Sequence, residues 1–244
     1  MLLVCCISLI IQEIKIKNIL FASCDGKYFL DHAEAFVVSA VKQGEIPYIH
    51  CQDDNEIVRT IAASLKMKFP EFKFFHMNYR GKYPNAQKRS IYAIGRFMFA
   101  KQLAHHNMLI LDIDSYIRKP IDWSDFAKMD YSLFFRDSLP GTIGWEKEGT
   151  RVAAGAVYVS HRSKLIEKTM DFINIYPTLP WFVDQVSLYA AHEKLKDEEN
   201  YCQMPQKYID WDFKDDSTIW TGKGSRKNSE RYLSEKSTYL TTKT

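Results

Sequence analysis

Met108-Leu109-Ile110-Leu111-Asp112-Ile113-Asp114 is the segment that decides the fold. Its first four residues form an unbroken apolar run, as expected of a strand covered on both faces at the centre of a parallel sheet. The run stops at two aspartates one residue apart. In open α/β sheets, binding and chemistry collect at strand ends of this kind. Alternate side chains on an extended backbone share a face, so Asp112 and Asp114 can turn toward one cation. A hard ion such as Mg²⁺ or Mn²⁺ takes carboxylate and phosphate oxygens together. An acidic turn that merely closes a buried strand would spell the same string, and D-x-D alone does not decide between them.

Outward from this segment, apolar runs and amphipathic stretches alternate. Residues 18–24 form a short apolar run, followed by an amphipathic stretch at 28–43. Residues 46–51 lead through Asp53-Asp54-Asn55 into a helical pattern at 56–67. A third strand is expected at 72–77, a loop at 79–84 and a long helix from 87 to about 105. Downstream, strands are expected at 131–135 and 152–159, and helices at 164–175 and 181–195. The alternation predicts an α/β domain with a mostly parallel sheet flanked by helices. From residue 200 onward the chain is polar and aromatic with little periodicity, and its Ser/Thr/Lys-rich end at 234–244 is expected to fray.

No Pro/Gly/Ser-rich linker divides the 244 residues, so a single domain is expected over 18–233. A formal charge of +3 is too mild for a nucleic-acid-binding face. Cys5, Cys6, Cys24, Cys51 and Cys202 are odd in number and lack C-x-x-C spacing. That argues against a zinc cluster and for reduced thiols in the cytoplasm. Residues 1–17 are expected to form an N-terminal apolar extension or edge strand. Their apolar start lacks a basic leader and is too short to span a bilayer, which leaves membrane association unsupported rather than closed.

A second D-x-D, Asp210-Trp211-Asp212, follows no long buried strand and is assigned to structure. Its neighbours Tyr208, Trp211 and Phe213 are expected to pack a loop-rich region, with acceptor contact as the alternative.

Leu109-Ile110-Leu111-Asp112-Ile113-Asp114-Ser115, followed by Arg118-Lys119-Pro120-Ile121-Asp122, resembles the D-x-D region of the GT-A glycosyltransferases. The likeness is to the family that contains glycogenin and the bacterial lipopolysaccharide galactosyltransferases, and it runs from about Asn18 to Tyr232. The resemblance implies a GT-A, Rossmann-like, mixed sheet. It also implies sugar transfer from a nucleotide-diphosphate donor, a UDP-sugar, to a glycan or other hydroxyl acceptor, with Mn²⁺ or Mg²⁺ and a retained anomeric configuration. Asp112, Ile113 and Asp114 would meet the donor, with the two carboxylates as metal ligands.

The end of the first strand, Ser23 to Tyr28, resembles the family's base-binding motif, in which Asp25 would address the uracil edge and Tyr28 would stack on the base. A plain helix cap at Asp25 and a packed ring at Tyr28 are the alternatives. Arg96 matches the family's basic residue on the helix before the D-x-D strand, with Lys88 and Arg89 as further candidates. Val152 to Val159 resembles the strand carrying an Asn-Ser-Gly element, which places Ala154 and Gly155 at the donor. Ala153 stands where the family has an amide, so the sugar's identity does not carry over.

Trp181-Phe182-Val183-Asp184-Gln185-Val186 resembles the family's Asp-Gln pair beneath the transferred sugar. This makes Asp184 and Gln185 the catalytic candidates, one to orient the sugar or stabilise an oxocarbenium-like state, the other to touch its anomeric face. Thr221-Gly222-Lys223-Gly224-Ser225-Arg226-Lys227 resembles a His-x-x-Gly-x-x-Lys loop that closes over the diphosphate. Gly224 and Lys227 match, Lys223 and Arg226 add to a phosphate clamp, and Thr221 replaces the His that would be a third metal ligand. Two rivals stand beside this. A haloacid-dehalogenase-like phosphatase also sets two aspartates after an apolar strand, but at the first strand. A catalytically inactive relative that binds a nucleotide or glycan would accommodate Ala153 and Thr221.

Overall fold

The computed structural model describes residues 15–53, 55–83, 86–136 and 151–240. The expected extension at 1–17 therefore falls largely outside the described residues. The strands are β1 (Asn18–Cys24), β2 (Pro47–Cys51), β3 (Lys73–His76), β4 (Asn107–Leu111), β5 (Ser115–Ile117), β6 (Tyr131–Phe135), β7 (Val152–Val159), β8 (Tyr201–Gln203) and β9 (Ile219–Thr221). The α-helices are α1 (Gly26–Lys42), α2 (Glu56–Lys68), α3 (Lys88–Ala100), α4 (Leu165–Ile173), α5 (Val183–Leu195) and α6 (Glu230–Ser237).

Seven strands form one sheet in the order β3-β2-β1-β4-β7-β6-β8, and β5 pairs with β9 in a separate ribbon. β3, β2, β1 and β4 are parallel, whereas β7 runs against both β4 and β6. The unbroken apolar run of β4 is explained by burial on both faces. Leu109 and Leu111 join α1 and α2 in one core, while Met108 and Ile110 join α3, α4 and α5 in the other. Each such side chain, fully withdrawn from water, contributes about 1.5–3 kcal/mol.

Chain order reverses at β1, which has β2 on one side and β4 on the other. Connections diverge from such a point and open a crevice above the carboxyl ends of the two strands. Asp25 follows β1 and Asp112 follows β4, so both stand at its floor.

Two elements depart from expectation. The helix at 87–105 stops at Ala100 and tightens into a 3-10 turn at Lys101–Leu103 before the chain enters β4, where Asn107 N–H bonds to Lys17 O at 2.9 Å. The expected fraying from 234 gives way to a helix that runs through Ser237. Ser229 caps that helix, and Tyr232 and Tyr239 are buried with Tyr116 and Trp220. Aromatic anchorage offsets the low helical propensity of a polar segment. Residues 241–244 lie outside the described residues. Among the described residues no helix is long and apolar enough to cross a membrane, and Cys24, Cys51 and Cys202 are free thiols.

Candidate active site

The crevice is a cleft of about 430 Å³, and the site residues expected from the sequence line it, apart from Lys88, Thr221 and Arg226. These residues fall into three groups on neighbouring strands β1, β4 and β7, which step across the sheet at about 4.8 Å per strand.

At the β1 end are Ser23, Asp25 and Tyr28. Ser23 Oγ bonds laterally to His50 Nδ1 at 2.9 Å. Asp25 caps α1, its Oδ1 accepting from Tyr28 N at 2.7 Å. The Tyr28 hydroxyl accepts from Lys227 Nζ at 2.7 Å, and the ammonium stands 4.6 Å from the ring centroid. Capping and cleft lining thus coexist in one residue, because the cap uses Oδ1.

At the β4 end, Asp112 and Asp114 face the cleft while Ile113 turns its side chain into the core. Arg96 Nη1 meets Asp112 Oδ1 at 2.8 Å and donates to Ala154 O at 2.7 Å. Burial disfavours the guanidinium charge, but Asp112 and Asp184 outweigh it and raise the pKa. Asp114 is buried. Its carboxyl is pushed up to about 7 by burial and by the charge of Asp112, with Lys227 pulling the other way from 3.8 Å.

Backbone closes on each carboxylate. A Cβ at Gly155 would lie 2.8 Å from Asp112 Oδ2, and one at Gly222 would lie 3.0 Å from Asp114 Oδ2. Main-chain bonds fix the approach: Asp112 N donates to Gly155 O at 3.1 Å, and Gly222 N to Asp114 O at 2.8 Å. Gly224 and Lys227 follow in the same closing loop. Of the three basic residues expected to clamp phosphate, Lys227 reaches the carboxylates, Arg226 pairs with Asp212 at 2.8 Å, and Lys223 lies over Trp211.

At the β7 end, Ala154 and Gly155 face Asp184 and Gln185 of α5. Phe182 precedes the helix in the left-handed region at φ 69°, a conformation that costs about 1–2 kcal/mol for a residue with a Cβ. Asp184 is buried in the first turn. Burial raises its pKa, and the charge of Arg96 opposes that rise. Gln185 Oε1 accepts from Arg136 Nη2 at 2.8 Å, and the same nitrogen donates to Val152 O at 2.9 Å. With its carbonyl held in this way, Gln185 has its amide N–H groups left to serve as donors.

Sequence reasoning did not single out Arg136 or Tyr92. Tyr92 was within reach, since Arg89, Tyr92, Ala93 and Arg96 recur at the i, i+3, i+4, i+7 spacing of one helix face and all line the cleft. Arg136 carried no comparable signal. Asp210 is structural, as expected: fully buried, it accepts from Asp212 N at 2.8 Å and Lys214 N at 2.6 Å. Its neighbour Trp211, however, lines the cleft.

Thr221 does not face the carboxylates. It is buried in the β5–β9 ribbon with its Oγ1 3.1 Å from Ser115 Oγ. Among the described residues no group of three or more His, Cys, Asp or Glu side chains gathers as a metal site. The donor set is therefore a carboxylate pair. It suits a hard divalent cation whose remaining positions go to phosphate oxygens and water.

No family model and no curated protein matches the sequence. Solved structures do match. The galactosyltransferase LgtC, in complex with donor and acceptor sugar analogues, superposes with a TM-score of 0.58 at 15% identity, covering 92% of this chain and 96% of that one. Mouse xyloside xylosyltransferase 1 gives 0.53 at 11% identity, covering 86% and 99%. GlyE of Streptococcus pneumoniae TIGR4 gives 0.57 at 12%, covering 91% of this chain and 60% of that one. The architecture is the GT-A glycosyltransferase fold.

Proposed function

We propose that this chain is a metal-dependent glycosyltransferase that moves a sugar from a UDP-type nucleotide donor to a hydroxyl acceptor with its anomeric configuration retained. One observation carries the proposal. A single cleft aligns an exposed ring beside Asp25, a carboxylate pair, and the Asp184-Gln185 pair in the order in which base, diphosphate and sugar follow one another in a nucleotide-sugar. Its volume lies within the range of small-molecule sites.

Asp112 and Asp114 would hold the cation, which when bound neutralises negative charge on the diphosphate leaving group. Arg96 holds Asp112 in orientation through the contact at 2.8 Å. Lys227 supplies a positive charge beside Tyr28, at the junction of base and phosphates. Asp184 faces the sugar with negative charge suited to an oxocarbenium-like state, and Gln185 presents amide donors. Residues 18–233 would form the transferase unit, and free buried thiols suit a cytoplasmic setting.

Titrating Mn²⁺ against a panel of UDP-sugars tests this, with UDP release and melting temperature as readouts. Metal-dependent release and a metal-dependent rise in melting temperature with UDP are expected. Undiminished release in chelator, or inorganic phosphate freed from phosphomonoesters instead, would overturn it.

A further inference from the structure

Cations in the cleft are of two kinds. Arg96 and Lys227 each face a carboxylate, at 2.8 Å and 3.8 Å. Arg89 and Lys223 lie on indoles and, among the described residues, face no carboxylate. The Arg89 guanidinium is 4.8 Å from the Trp181 ring centroid, and the Lys223 ammonium 5.2 Å from that of Trp211. Among the described residues neither has an acidic partner, and the hydrogen bond of Arg89 goes to the neutral amide of Gln87 at 2.8 Å.

A cation held on an aromatic face is a preformed anion site. The ring's quadrupole holds the charge, while the guanidinium edge keeps N–H donors free for a carboxylate or phosphate. Arg89 stands apart from the carboxylate pair, whereas Lys223 follows Gly222, which closes on Asp114, and turns its ammonium over Trp211. Arg89 precedes Arg96 by two turns of α3, about 10 Å along the helix axis. Trp181 lies just before Asp184, on the α5 side. Trp211 packs edge-on against Phe134 at 5.4 Å, and Phe134 pairs in register with Ala153, a cleft residue on β7. The two indoles therefore flank the end of the cleft where Asp184 and Gln185 stand. Trp181 is exposed there, and pyranose rings present apolar C–H faces that suit such surfaces.

We propose that this outer end is the acceptor subsite and that the acceptor is an acidic saccharide, its ring against the indoles and its carboxylate or phosphate on Arg89 and Lys223. The inference rests on the proposed glycosyl transfer, and it fails separately from it. The test supplies the full-length protein with Mn²⁺ and an active UDP-sugar, then compares a neutral oligosaccharide with its uronic-acid and phosphorylated forms. At least a tenfold preference in kcat/KM for a charged form is expected at about 50 mM salt, shrinking at about 0.5 M as the charges are screened. Which charged form is preferred distinguishes carboxylate from phosphate.

Arg89→Gln should raise the KM of the charged acceptor about tenfold without moving the donor KM, and Arg89→Lys should restore much of the preference. Equal use of the neutral acceptor overturns the inference, as does a rise in donor KM alone in Arg89→Gln, which would assign Arg89 to the diphosphate. If no donor releases UDP, it is glycosyl transfer that has failed, and calorimetry with the same three saccharides decides the subsite. Tighter binding of a charged form, lost in Arg89→Gln, supports the inference; no difference among the three overturns it.

Discussion

Asp112-Ile113-Asp114 and Asp210-Trp211-Asp212 share a pattern but present opposite faces. In the first, Ile113 is buried and the flanking carboxylates line the cleft; in the second, Asp210 is buried and the central Trp211 lines it. The phase of the string relative to its backbone decides which side chains face the cleft. The two also differ in how their charge is answered. Asp210 accepts from nearby main-chain N–H groups, which no ligand can displace without unfolding the turn. Asp112 and Asp114 are answered by side chains from a distant helix and loop, which can exchange partners.

The largest effect that sharpens this contrast belongs to the strand-end pair. Asp112→Asn or Asp114→Asn should lower metal-dependent UDP release by about 1000-fold, equivalent to about 4 kcal/mol, while the melting temperature holds or rises in Asp114→Asn and falls in Asp112→Asn, which leaves Arg96 without its carboxylate. Near-normal release in either variant would break the comparison.

A pH series on stability probes the strand-end side next, through His50 beside Ser23. Burial, then His76, holds its pKa down at about 4 against 6.5 unfolded, with the Met77 carbonyl opposing. Above 6.5 both states are neutral and stability is full. Below it the unfolded chain takes a proton that the fold refuses until about pH 4, so stability should fall across that window by about 3 kcal/mol. His32, held at about 4 chiefly by burial, shares the window. Chemical denaturation should find a flatter profile in His50→Gln.

Asp210→Ala removes the acceptor for two part-buried N–H groups. A loss of about 2–3 kcal/mol is expected, visible as a melting temperature lower by about 5–10 °C, with turnover of the folded fraction nearly intact. A large loss of turnover at unchanged stability would erase the distinction between the segments.

A smaller effect is expected from Arg136→Met, which frees the Gln185 carbonyl. About tenfold in kcat, or about 1.4 kcal/mol, should disappear at constant donor KM, and Arg136→Lys should recover part of it. Smallest of all, Asp212→Asn breaks an exposed pair with Arg226 and should shift stability by less than about 0.5 kcal/mol.

The parallel half of the sheet and its crevice were legible because β1, β2 and β4 are apolar runs that end in polar turns. Asp112 and Asp114 followed, and Arg96 came from its match in register to the basic residue that the resembling family carries on the helix before the D-x-D strand. The direction of β7 was not legible, since a strand buried on both faces reads the same either way. β5 and β9 were missed because three-residue strands carry no periodicity, and their Ser115–Thr221 contact joins residues 106 apart in sequence. Side-chain direction in the irregular 210–214 segment was likewise beyond pattern, which hid Trp211. α6 was missed because its anchors are two widely spaced tyrosines rather than an apolar stripe.

Gly155 and Gly222 leave one further consequence. The oxygen atoms of the carboxylate pair are walled by main chain, and the walls are tied down by peptide-to-peptide bonds that any amino acid could make. At these two points the fold requires only that no side chain be present. Geometry stored in that way survives wholesale replacement of the surrounding residues, so chains that share few letters can still present the same acidic rim.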